Sequence, residues 1–237
     1  MQKPLHFYQP FLLRVLHGLV GVFTIAAMIS GFWVYDMFDG RWGRLNLFHV
    51  SEIQEIHGSL GILSFLAFPA FVIYSFTRGQ KRLVQPNFLQ SLVHSRGKRW
   101  WFTAHQTINT FSFIPLVLAL FSGQKMDGNW LPNRELHHFW YLVHIASWSV
   151  LLLSLMAHFL LSAKVGGVPL LLSIVNLRFT SKESPVYWPN KIKTWFKNFR
   201  FFSIVDYWKS SGFYKYTEAA LLAIYALSLM LSALHEF

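Results

Sequence analysis

Four histidines interrupt the apolar stretches of this chain: His17, His57, His144 and His158. An ionisable side chain at membrane depth is a candidate functional group. Neutral imidazole is a ligand for iron, and a pair of imidazoles on one haem iron gives an electron carrier with no open coordination position. A single buried histidine is explained equally well as a hydrogen-bond donor between helices. Depth, helical phase and repetition make the four together point to metal.

His17 follows the start of the first apolar stretch, one turn after Arg14, and His57 follows the start of the second. Consecutive spans run antiparallel, so these two residues fall near opposite membrane faces. His144 opens the fourth stretch and His158 lies near its end. Depth therefore pairs His57 with His144 and His17 with His158. At about 100° and 1.5 Å per residue, 14 residues bring His144 and His158 back to nearly the same helix face about 21 Å apart. A hydrocarbon core of about 30 Å accommodates two haem irons at that separation, one near each surface. HGLVG at His17–Gly21 is echoed by HGSLG at His57–Gly61. Gly21 and Gly61 lie one turn from the histidines on the same face, where the missing side chain leaves room for a flat macrocycle. Close helix packing is compatible with the same glycines. Arg14 and Lys164 are candidate partners for haem propionates at one end, and Arg41, Arg44 or His49 at the other; basic residues at helix ends also serve as interface anchors.

The elements that must position these residues are membrane spans. The chain is 54% hydrophobic and 13% charged, against about 25% charged for a soluble domain. Four stretches have the roughly 20 apolar residues a crossing needs: Val15–Tyr35, Ile53–Phe76, Trp100–Ser122 and Phe139–Ala163. Tyr216–Leu234 is a shorter, less apolar fifth. Pro69 and Pro115 fall inside spans, where neighbouring helices can satisfy the freed backbone. The expected fold is an all-α membrane protein: a four-helix bundle binding two haems over 1–165, a basic aromatic-rich interfacial segment over 166–215, and a fifth transmembrane helix over 216–237.

Cysteine is absent, which excludes iron–sulfur ligation, covalent c-type haem and disulfides. The net charge of +11 does not mark nucleic-acid binding, because the basic residues lie between the apolar runs. Seventeen of the 21 Lys and Arg residues fall on one side of the alternating topology. The positive-inside rule makes that side, with the N-terminus, cytoplasmic or its equivalent. A bacterial inner membrane and a thylakoid-type membrane obey the same rule. The tail interleaves Trp188, Trp195, Phe196, Phe199, Phe201, Phe202 and Trp208 with lysines, a pattern suited to an anionic membrane surface or a docking partner. His6, His94, His137, His138 and His235 fall in termini or loops and are expected at the solvent or headgroup level.

RVLHGLVG, EIHGSLG and the fourth-span run LVHIASWSVLLLSLMAHFL resemble the prokaryotic cytochrome b561 family. That family is similar in its four-helix fold to the membrane cytochrome b subunits of formate dehydrogenase and nickel–iron hydrogenase. Ser30–Gly31 and Ser122–Gly123 resemble the TG that often closes the first and third spans there. The resemblance covers roughly residues 10–165 and implies bis-histidine haem b at His17/His158 and at His57/His144, the pairing that depth gives. The tail and the fifth apolar stretch depart from the four-span pattern. In respiratory members quinone binds beside the inner haem. His105 and Asn109, at i and i+4 in HQTIN near that surface, are candidates to bind it; polar links between helices explain them equally well.

The expected function is transmembrane electron transfer by a di-haem b cytochrome, between a quinone pool and a partner redox protein or subunit. There is no GxGxxG fingerprint, so hydride chemistry would reside elsewhere. Two alternatives come from other classes. A proton or metal transporter would use the same histidines, but transport sites cluster at the midplane and these lie near the surfaces. A structural or assembly subunit of a larger membrane redox complex would use the basic tail to dock.

Overall fold

A computed structural model of the chain describes residues 9–126, 136–176, 184–197 and 212–235. Lys3, His6, Asp127, Arg134, Glu135, Phe199, Phe201, Phe202 and Trp208 lie outside the described residues. The regular elements described are helices: α1 (Phe11–Phe38), α2 (Ile53–Thr77), α3 (Phe88–His94), α4 (Lys98–Phe111), α5 (Phe113–Gln124), α6 (Phe139–Val175), α7 (Trp188–Lys197) and α8 (Phe213–His235). Among them, α1, α2, Lys98–Gln124 and α6 are long and apolar enough to cross a membrane. This is an all-α membrane bundle. α1 packs along α2, α6 packs against α4, α5 and α1, and α8 lies against α2 and α5.

These helices are apolar on their outer faces. Val22, Ile29, Leu66, Leu153 and Leu160 are each at least 60% exposed, as lipid-facing side chains must be. The interior mixes Phe68, Val72, Phe76, Phe113 and Leu151 with small hydroxyl residues such as Ser64, Ser122, Ser154 and Ser162. Small residues let helices approach closely where lipid removes the hydrophobic drive for association.

The third span is one apolar stretch in the sequence but two helices in the structure. Pro115 lacks the N–H that would bond the carbonyl of Phe111, so the ladder loosens there. Ser112 is the joint, and Leu116 N–H reaches its carbonyl at 3.3 Å. α4 is the polar half. Its Gln106 Nε2 donates to the Lys81 carbonyl at 2.8 Å, its Asn109 Nδ2 to the Arg82 carbonyl at 3.0 Å, and its Thr110 Oγ1 accepts from Val84 N–H at 2.8 Å. The basic loop after α2 is thereby fastened to α4.

At the other end of the bundle, Asp36 accepts from the N–H groups of Leu45 (2.5 Å) and Leu47 (2.8 Å). Asp39 forms an ion pair with Arg41 at 2.9 Å and accepts from the Tyr141 hydroxyl at 2.7 Å. That carboxylate joins the end of α1 to the start of α6.

The fourth span also runs further than its hydropathy predicts. α6 continues to Val175 across a break at Gly167, with φ 63° and ψ −162°. Only glycine adopts this region readily. Pro169 then starts the last two turns. α8 forms with Lys215 and Glu218 buried near its start. Substituting Gly167→Ala is expected to destabilise the protein by about 1–3 kcal/mol. Thermal unfolding in detergent, followed by circular dichroism, measures this as a lowered Tm.

Candidate functional site

α2 and α6 each carry a histidine in their second turn, and the structure brings those two rings together. The centroids of His57 and His144 are 5.9 Å apart, with planes at 78°. Each ring is seated against the neighbouring helix by the same five-residue pattern. On α1 the pattern is AMISG, Ala27–Gly31; on α5 it is ALFSG, Ala119–Gly123. His57 Nδ1 is 3.0 Å from the Ala27 carbonyl and 3.2 Å from Ser30 Oγ. His144 Nδ1 is 3.0 Å from the Ala119 carbonyl and 3.1 Å from Ser122 Oγ. A carbonyl only accepts, so each Nδ1 carries the proton and each Nε2 keeps a lone pair for a metal.

The glycines of the pattern are steric requirements. A Cβ on Gly31 would lie 2.9 Å from His57 Cε1, and one on Gly123 would lie 3.3 Å from His144 Cε1. The sequence carries this signal as the repeat A-x-x-S-G at 27–31 and 119–123. Reading only its last two residues hides the alanine carbonyls that hold the rings.

Both histidines line a cavity of about 350 Å³, within the range of cofactor sites. Gly58, Gly61, Thr24, Ser64 and Trp148 line it too. A Cβ on Gly58 or Gly61 would meet no atom within 4 Å. The hydroxyls of Thr24 and Ser64 are buried without a partner among the described residues. With metal–nitrogen bonds of about 2 Å, two imidazoles on one iron stand about 6 Å apart between centroids. The residues at this end therefore fit a haem, with open space for it beside Gly58 and Gly61 of α2.

At the opposite end, His17 of α1 and His158 of α6 have ring centroids 6.0 Å apart and planes at 33°. Phe71 meets His17 edge-on at 5.7 Å. Gly18 and Gly21 have no atom within 4 Å of a Cβ position. His158 Nδ1 is 2.8 Å from Asn109 Oδ1, which assigns its proton in the same way as at the first pair. Asn109 is engaged at both ends of its amide, since Nδ2 donates to Arg82. His105 stacks on His158 at 5.6 Å and pairs its Nε2 with Ser162 Oγ at 2.9 Å. All nine residues, the four histidines and their five Nδ1 partners, thus come from α1, α2, α4, α5 and α6.

The basic residues named from sequence are placed as follows. Arg14 is buried, hydrogen-bonds the Asn176 carbonyl and lies over the Phe11 ring at 5.4 Å. Lys164 is exposed, over Trp101 at 5.3 Å. Arg41 is committed to Asp39 and to the Leu136 carbonyl at 2.6 Å, and Arg44 to the Asp39 carbonyl at 2.9 Å. His49 is exposed. Among the described residues no group of three or more His, Asp or Glu side chains is placed to hold a bare metal ion.

Comparison with known proteins adds one finding. Residues 8–176 match the family described as prokaryotic cytochrome b561. No curated protein and no solved structure matches the chain. The matched stretch contains all four histidines and both A-x-x-S-G segments, and spans α1 to α6. The chain belongs to the prokaryotic cytochrome b561 family and is an integral membrane cytochrome of the b type.

Proposed function

We propose that the protein carries electrons across its membrane on two haem b groups, one held by His57 and His144 and the other by His17 and His158. The observation that carries this reading is the pair of ring separations, 5.9 and 6.0 Å, at sites about 21 Å apart along α6 by helix rise. Each haem, when bound, supplies a one-electron couple at its iron. The four histidines would hold that iron, apolar helix faces would exclude water, and the Nδ1 partners fix the tautomers of His57, His144 and His158. Gly21 and Gly61 leave space for the macrocycles, and Arg14 and Lys164 lie at the His17/His158 end to meet propionates.

Electrons would be exchanged between a quinone at the His17/His158 end and a partner redox protein or subunit. His105, stacked on His158 and bonded to Ser162, is the group offered to a quinone oxygen, beside Asn109. The charge distribution supports a cytoplasmic N-terminus, with α8 as a fifth crossing and the segment around α7 at the interface. That end of the bundle carries the basic loop fastened to α4, where a quinol's protons would exchange with the aqueous side.

Haem quantification should give two haems per chain. His57→Ala and His144→Ala should each remove one haem, and the double variant should remove no more than either alone. The same should hold for His17→Ala and His158→Ala. Additive losses within a pair would overturn the assignment. Gly31→Ala drives a methyl into the His57 ring and is expected to cost about 1–3 kcal/mol, with lower haem retention. Gly123→Ala, with 3.3 Å of clearance rather than 2.9 Å, should be milder. Asn109→Leu removes the Nδ1 partner of His158. Spectroelectrochemistry should show one of two midpoint potentials shifted and the other unchanged.

A further inference from the structure

Trp148 lies one turn after His144 on α6 and lines the cavity beside it. Its indole N–H donates to the Met28 carbonyl at 3.1 Å, which fixes the ring. From it a series of rings leads to the rim of the bundle. Trp148 stacks on Phe32 at 6.2 Å and 22°, Phe32 faces Tyr35 at 6.2 Å and 30°, and Tyr35 stacks on Trp42 at 6.1 Å and 21°. Trp42 is 68% exposed.

Three consecutive ring pairs within 30° set this series beside the stacked Phe65–Tyr225 pair at 25° and apart from the edge-on pairs of the same chain. Trp33–Phe48, Trp100–Trp101 and Phe139–Trp140 meet edge-on at 84°, 89° and 71°. An aromatic belt at the membrane surface accounts for an exposed tryptophan but not for four rings held within 30° of their neighbours. The outer end is also held in place. The Trp42 N–H donates to Tyr35 Oη at 2.7 Å, and Arg41, paired with Asp39, sits 5.7 Å over the Trp42 ring.

We propose that Trp42, Tyr35, Phe32 and Trp148 form a conduit for single electrons between the rim of the bundle and the haem iron at His57/His144. This rests on the haem assignment made above. Electron donor or acceptor is a one-electron carrier that approaches the membrane face formed by residues 39–52. In the inward direction the reduced carrier would lose one electron, and the iron of a haem held by His57 and His144 would take it up, going from ferric to ferrous. No bond forms or breaks, and no proton moves. The rings act as stacked π bridges and are not themselves oxidised: phenylalanine in the series has no accessible oxidised state, and the Arg41 cation disfavours a positive charge on Trp42. Tyr35 keeps its proton throughout.

The absence of native cysteine permits a direct test on the full chain with haem bound. Leu45→Cys, three residues after Trp42 and 69% exposed, carries a ruthenium polypyridyl label. A flash then makes the excited ruthenium(II) donate one electron, becoming ruthenium(III) as ferric haem becomes ferrous. Haem absorbance gives the rate, and label emission lifetime gives a second readout with and without haem. Trp42→Leu, Tyr35→Leu and Phe32→Leu should each slow reduction by about an order of magnitude. Tyr35→Phe, which keeps the ring and loses the hydroxyl, should retain the rate. A label on the exposed Ser51→Cys, off the ring series, should report no change in any variant. Absorption spectra and midpoint potentials should stay as in the parent protein. Equal rates in the Leu variants with an intact haem spectrum would overturn the conduit. So would slowing in Tyr35→Phe equal to that in Tyr35→Leu. Exposed Trp42 keeps the test valid should an interior variant fail to fold. Absence of a bis-histidine haem in the parent protein would instead overturn the haem assignment.

Discussion

An imidazole in a hydrocarbon interior needs both nitrogens committed. One can go to a metal, but the other must find an acceptor where every backbone carbonyl already serves its own helix. The spare lone pair of a helical carbonyl is the resource at hand. Reaching it requires the ring to lie against the neighbouring backbone. Ala27 and Ala119 expose their carbonyls, Gly31 and Gly123 give the ring clearance, and Ser30 and Ser122 cover the same nitrogen with a hydroxyl. Everything else about the pair follows from this seat. α1 must run beside α2 and α5 beside α6, in the register that sets an alanine carbonyl opposite a histidine. The two hairpins are therefore equivalent around the His57/His144 end, although their sequences share little outside A-x-x-S-G.

The His17/His158 end is built differently. There the Nδ1 partner of His158 is a side chain, Asn109, which is itself tied to the loop through Arg82. A polar segment at this depth is tolerable because α4 spends its Gln106, Asn109 and Thr110 on the backbone of that loop. The break at Ser112 lets the polar and apolar halves of the third span tilt separately. α4 serves one histidine pair and α5 the other.

Much of this was legible in the sequence. Depth and helical phase pair the histidines from the sequence alone, because antiparallel spans and a 14-residue spacing leave few other arrangements. Hydropathy located the four spans for the same reason. The third crossing is located correctly, and Pro115 is visible inside it, but the division into α4 and α5 at Ser112 is not. The fourth helix continues beyond its apolar stretch, because Gly167, at positive φ, redirects the chain into two further helical turns. Asn109 was visible as a polar residue but not as a ligand to His158, which required knowing that α4 faces α6. The A-x-x-S-G repeat is visible in the sequence, but its role as a seat is not, for a similar reason. Small residues in a span are common, and only the facing histidine gives these meaning.

The last helix shows how the family frame and the chain as a whole differ. α8 begins well beyond the matched stretch, yet it is not an appendage. Tyr225 stacks on Phe65 at 4.3 Å, and Ser228 hydrogen-bonds Gln124. Phe65 of α2 and Gln124 of α5 both line the cavity between His57 and His144. These are the two helices whose mutual contact closes the bundle opposite α1 and α6. α8 covers that seam, burying Leu221 against the shared core. An element outside the four-helix pattern thus supports the wall of a site inside it. Lipid would otherwise meet that wall, and a fluid boundary would hold Phe65 and Gln124 less firmly than a packed helix does.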